Sequence, residues 1–121
     1  MDFSNFTIMI VDDETYYRTS IASAISFTLN ADIIEFENGD EAFKYLKYNN
    51  KPDLILLDIK MPMMDGLTLL EKLRKDAEFK DVYVIPYTQY TDNDTVKRLF
   101  DLGITDYIVK GLDLDRILNK I

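Results

Sequence analysis

Apolar residues gather into short runs at regular intervals along the chain. Phe6 to Val11 reads FTIMIV, Asp32 to Glu37 DIIEFE, Leu54 to Leu57 LILL, Val82 to Pro86 VYVIP, and Tyr107 to Val109 YIV. Such runs, rich in β-branched residues and bounded by turn formers, suit strands covered on both faces. Between them the apolar spacing becomes helical: Tyr17, Ile21, Ile25 and Leu29; Ala42, Phe43 and Leu46; Leu67, Leu70 and Leu73; Val96, Leu99 and Phe100. A fifth such segment, Leu112 to Ile121, closes the chain. Helix starts are marked by Asn38, which has Glu41 in capping-box spacing, and by Thr91 or Asp92 ahead of the Val96 stripe.

Strand and helix alternating five times predict a parallel sheet, because parallel strands need crossover connections. The expected fold is therefore α/β: a flavodoxin-like, doubly wound, five-stranded sheet of order 2-1-3-4-5 with five helices. At 121 residues the chain has the length of one domain, taken as residues 1–121. A chain of this size buries roughly two-thirds of its unfolded surface, enough for a core without staples.

Composition narrows the chemistry. The chain has no cysteine, hence no disulfide framework and no thiolate metal site, and no histidine, which removes the commonest general base. The formal charge of −8 makes direct nucleic-acid binding a poor expectation. No apolar run approaches a membrane span, and MDFSN lacks the order of a signal peptide. The reading is a soluble, cytoplasmic protein with no membrane association.

In a doubly wound sheet, ligands bind outside the carboxyl ends of the strands, where strand order reverses. The first strand ends in Asp12-Asp13 and the third in Asp58. Three carboxylates in one crevice repel one another unless a cation binds or protons are taken up. Oxygen ligands with room for water suit Mg²⁺. Thr88 ends the fourth strand and Lys110 the fifth; with the cation, the Lys110 ammonium would bring the formal charge of the three acids to zero, a setting suited to phosphate. Taken singly, each acid or Thr88 is as well explained as a cap, and Lys110 as a solvated charge. Chance does not predict all five at carboxyl ends of strands one, three, four and five. Met61, Met63 and Met64 read as loop packing.

The motifs VDDE (Val11 to Glu14), LLDIKMPMMDG (Leu56 to Gly66), Thr88 and DYIVK (Asp106 to Lys110) together resemble the receiver domain of two-component response regulators, of the chemotaxis single-domain kind, over essentially the whole chain. The resemblance implies a phosphoacceptor signalling domain rather than a conventional enzyme, with self-catalysed phosphoryl transfer and autodephosphorylation. It implies Asp58 as the phosphoacceptor, exposed at its strand end. Mg²⁺ would be held by Asp13, Asp58, the backbone carbonyl of Lys60 and, through water, Asp12. Lys110 and Thr88 would meet the phosphoryl oxygens. Thr88 and Tyr107 would switch the surface of the fourth helix, fifth strand and fifth helix, around Val96, Lys97 and Phe100. The partners implied are a sensor histidine kinase or histidine phosphotransfer protein, and a downstream target or output domain.

The chain departs from the family pattern after Lys110, where Gly111 replaces a proline usually joined through a cis bond. A cis bond before a residue other than proline costs about 2.5–4 kcal/mol, so a trans link is expected. After Thr88 the family usually has a small residue, whereas Gln89 and Tyr90 follow here. These are expected to hinder phosphodonor or water and lengthen the phosphoryl lifetime. A receiver-like module that docks partners without phosphate is the alternative reading. An aspartyl phosphatase of the haloacid-dehalogenase kind is disfavoured, because its Asp-x-Asp has Lys60 in second place here. Flavin binding is disfavoured because DDETYY offers anions to an anion.

Overall fold

The fold is described from a computed structural model, over residues 6–61, 64–88, 92–104 and 106–109. Five strands, β1 (Thr7–Val11), β2 (Asp32–Phe36), β3 (Leu54–Leu57), β4 (Val84–Thr88) and β5 (Ile108–Val109), form one parallel sheet of order β2-β1-β3-β4-β5. Among the described residues there are four helices, α1 (Thr15–Leu29), α2 (Gly39–Tyr48), α3 (Gly66–Lys75) and α4 (Asn93–Asp101). The expected fifth helix, Leu112 to Ile121, lies outside them.

Strict alternation in the two central strands divides the core. Met9, Val11, Ile55 and Leu57 turn to one face, where they join Ala42 and Leu46 of α2 and Leu69, Leu70 and Leu73 of α3. Ile8, Ile10, Leu54 and Leu56 turn to the other, against Ile21 and Ile25 of α1. With both faces covered, all four residues of β3 are buried, which is why LILL carries no polar position. Burying each large aliphatic side chain contributes about 1.5–3 kcal/mol.

Strand boundaries shift by one or two residues from the pattern-based reading: β1 starts at Thr7 rather than Phe6, and β2 ends at Phe36 rather than Glu37. The apolar run Val82 to Pro86 enters β4 only at Val84, and the strand ends at Thr88, as read from the sequence. The Val82 carbonyl is taken by the Arg74 guanidinium (2.9 Å), so Val82 belongs to the turn. Pro86 is tolerated inside the sheet because of backbone alternation. The Tyr83 carbonyl accepts from the Ile55 amide (2.9 Å), which turns Pro86 toward β5, where pairing begins only with Tyr87 and Ile108. Likewise β5 omits Tyr107, whose N–H is engaged by the Asp106 side chain (2.9 Å).

The helix starts follow their caps. Asn38 Oδ1 accepts from the Glu41 amide (2.8 Å), as its spacing predicts, and Asp92 accepts from the Thr95 amide (3.0 Å). Asp65-Gly66, which reads as a turn, is the start of α3: Asp65 accepts from the Thr68 amide (2.9 Å), and Gly66 is the first helical residue.

Candidate functional site

The carboxyl ends of β1 and β3 are fixed by ladder bonds that continue one residue beyond each strand. The Asp58 amide donates to the Val11 carbonyl (2.8 Å), and the Asp12 amide to the Phe36 carbonyl (3.0 Å). Val11 pairs with Leu57, so Asp12 and Asp58 leave neighbouring strands at the same level. Sheet register, rather than loop flexibility, brings the two acids together.

Four carboxylates converge there. Asp12, Asp13, Glu14 and Asp58 each offer an oxygen, and these oxygens lie within 4.8 Å of one another. Asp12 and Asp58 are buried, Glu14 is half-buried and Asp13 is exposed. Asp12 Oδ1 accepts the Glu14 amide (2.9 Å), closing an Asx turn that leads into α1. Glu14 caps α1 in an extended conformation without a side-chain capping bond, and its carboxylate is part of the cluster. Its membership was not anticipated from the sequence, although it directly follows the acidic pair.

Burial of Asp58 corrects one expectation. The residue is 3 % exposed rather than open at the strand end. The turn into α3 lies close against its backbone: the Gly66 amide donates to the Ile59 carbonyl (2.9 Å), and Gly66 sits against the Asp58 peptide. A Cβ at Gly66 would collide with the Asp58 carbonyl oxygen and lie 2.7 Å from Ile59 Cα. Glycine here is a requirement of close backbone approach. The Lys60 amide faces Asp58 Oδ1 at 3.4 Å, a long contact.

Thr88 ends β4 fully buried, two residues beyond Pro86, the partner of Leu57. It pairs with Val109, so the chain leaves β5 beside Thr88. Lys110, Gly111, Gln89 and Tyr90 lie outside the described residues. Tyr107 is half-buried immediately before β5.

The donor set fits a hard divalent cation. Carboxylate oxygens alone, two of them on buried residues, sum to a formal −4 with no imidazole or thiolate among them. Such a cluster is electrostatically unsettled without positive charge, and Mg²⁺ is the size and hardness that oxygen donors favour.

The comparisons agree with this geometry. The profile of the response regulator receiver domain matches residues 8–121. The chain belongs to the response regulator receiver domain family. It is 37 % identical over 116 residues to the chemotaxis protein CheY of Listeria monocytogenes, covering 94 % of this chain and 93 % of that one. It is 34 % identical over 108 residues to the sensor histidine kinase CheAY of Helicobacter pylori, covering 88 % of this chain but 13 % of the kinase. Among solved structures it resembles a CheY-like receiver domain protein from Methanospirillum hungatei, with a TM-score of 0.85 at 28 % identity, covering 95 % of this chain and 89 % of that one. Receiver domains are signalling domains, and this receiver carries an acidic pocket of the kind at which the family binds Mg²⁺. No described helix is long and apolar enough to cross a membrane.

Proposed function

We propose that this receiver is a phosphorylation-activated switch, with Asp58 accepting a phosphoryl group from a sensor histidine kinase or histidine phosphotransfer protein. The reading rests on one observation above the others: Asp58 shares a 4.8 Å cluster with Asp12, Asp13 and Glu14 at the carboxyl edge of the sheet. The similarity to a segment of a sensor histidine kinase supports the donor class.

In the proposed step, a carboxylate oxygen of Asp58 forms a bond to phosphorus as the phosphohistidine N–P bond breaks, its electron pair going to the donor imidazole. Phosphoryl transfer asks mainly for positioning and charge neutralisation, and an ionised carboxylate needs no base. Mg²⁺, held by Asp13, Asp58 and the Lys60 carbonyl, with Asp12 acting through water, would supply positive charge at the phosphoryl oxygens. Lys110 would balance the remaining charge, and the Thr88 hydroxyl would donate to a phosphoryl oxygen. Phosphorylation changes a charge of −1 to nearly −2 and adds acceptors, which biases a two-state element. That element is taken to be Thr88 with Tyr107, changing the surface formed by α4, β5 and the segment after β5. Water attack on the aspartyl phosphate resets the switch.

A phosphate-independent docking module is the second reading, favoured by the near-complete burial of Asp58. Incubation with an acyl phosphate and Mg²⁺ separates the two. The switch requires stoichiometric labelling of the wild type and none of Asp58→Asn. Absence of labelling in both, with the fold intact, would favour the docking module.

A further inference from the structure

The Asp13 carboxylate is exposed and carries no hydrogen bond or ion pair to another described side chain. Its direction is therefore set by the backbone that precedes it. That backbone is held at Asp12 from two sides. The Asp12 amide donates to the Phe36 carbonyl on β2 (3.0 Å), and the Asp12 carbonyl accepts from Arg18 Nη1 (2.6 Å). Arg18 sits in the first turns of α1 with its side chain 14 % exposed, and its Nε is anchored by Glu35 Oε1 on β2 (3.3 Å). One guanidinium thus ties the β1-α1 loop to α1 and to the neighbouring strand.

We infer that Arg18 is a positioning residue for the cation site: by holding the Asp12 carbonyl it fixes the peptide from which Asp13 presents its carboxylate. The inference rests on the Mg²⁺-assisted reading of the acidic cluster. A guanidinium suits the task because its planar fork serves two acceptors at once, which a lysine ammonium on a flexible stem does not do with the same geometry. Groups that orient metal ligands commonly change affinity by 10–100-fold when removed.

Charge and geometry predict opposite signs, which makes the idea decidable. Arg18 is a cation beside a cation site, so on charge alone Arg18→Ala would tighten Mg²⁺ binding. Loss of positioning weakens it. Isothermal titration of the full chain with Mg²⁺ is expected to show Kd raised about tenfold in Arg18→Ala. Arg18→Lys, which keeps the charge but loses the fork, is expected to lose about threefold or more. Glu35→Gln leaves the bond to Asp12 in place and should remain within about twofold of wild type. Circular dichroism and denaturant midpoints of the metal-free variants separate positioning from general loosening. If Arg18→Ala does not fold, Arg18→Lys decides. Wild-type binding with unchanged or tighter binding in the arginine variants overturns this inference alone. A folded wild type that takes no Mg²⁺ overturns the metal-assisted reading with it.

Discussion

The two edges of the sheet both draw charge at least partly out of water, and they treat it in opposite ways. At the amino-terminal edge of β4, Arg74 from the end of α3 spans three carbonyls: Nε donates to that of Leu102 (3.0 Å), and Nη1 donates to those of Lys80 (3.1 Å) and Val82 (2.9 Å). Burial lowers its pKa from the ordinary value, and Asp81 partly offsets that. At the carboxyl edge, four carboxylates crowd together with like charge. A half-buried charge bonded to three carbonyls is a structural fastener. A crowded set of like charges is instead a site that gains stability when a cation arrives.

The first way to break this contrast is Arg74→Met. Losing three bonds and stranding three carbonyls should destabilise the fold by about 2–3 kcal/mol, read as a lower urea midpoint. Mg²⁺ affinity should be unchanged, because among the described residues the bonds of Arg74 all lie away from the carboxyl edge. A parallel loss of metal binding would show that the two edges are not independent. Next in size is Gly66→Ala, which forces a Cβ into the Asp58 and Ile59 backbone. It should cost about 1–3 kcal/mol by overpacking and, unlike Arg74→Met, should also weaken Mg²⁺ binding, because the displaced peptide carries Asp58.

Asp58→Asn should have the opposite sign. Removing one of four like charges is expected to stabilise the metal-free protein by about 1 kcal/mol. It should also remove most of the rise in midpoint that Mg²⁺ gives the wild type, since a ligand stabilises only the state that binds it. Thermal unfolding with and without Mg²⁺ measures both effects. A destabilised Asp58→Asn would mean that the carboxylate is already settled within the fold.

How much of this was legible in the sequence follows the range of the forces involved. LILL followed by Asp58, and TIMIV followed by Asp12, announced buried central strands ending in acids, because two-sided burial leaves its mark on every residue of the run. Asn38 and Asp92 were readable as caps, because capping is a contact across three residues. The start of β4 was not, since it depends on Arg74 reaching the Val82 carbonyl and on which neighbour Pro86 faces. Burial of Asp58 was hidden for a similar reason: exposure depends on what the fold packs around a residue, and the approach of Gly66, eight residues on, to the Asp58 peptide is not a local contact. Asp65-Gly66 did signal a change of direction, but not that the glycine had a backbone to fit against. Arg18 showed no pattern at all, because its partners Asp12 and Glu35 meet it only in the folded sheet.

The smallest effect tests whether an acid at the crowded edge can be as settled as Arg74. Asp92 caps α4, which starts at that edge, and its carboxyl pKa is lowered from the ordinary value. The main cause is the Thr95 backbone N–H, followed by the Thr95 hydroxyl, with a lesser contribution from Lys60. A depressed folded-state pKa contributes stability that is complete above the unfolded value, about 3.9, and is lost as pH falls through the lower folded value. Asp92→Ala should therefore lower the unfolding midpoint modestly at about pH 7, with the gap to wild type narrowing below about pH 4. Being fully exposed, Asp92 should matter less than the three sites above. A gap that stays constant down to about pH 2.5 would mean that the cap does not depend on the charge of its carboxylate.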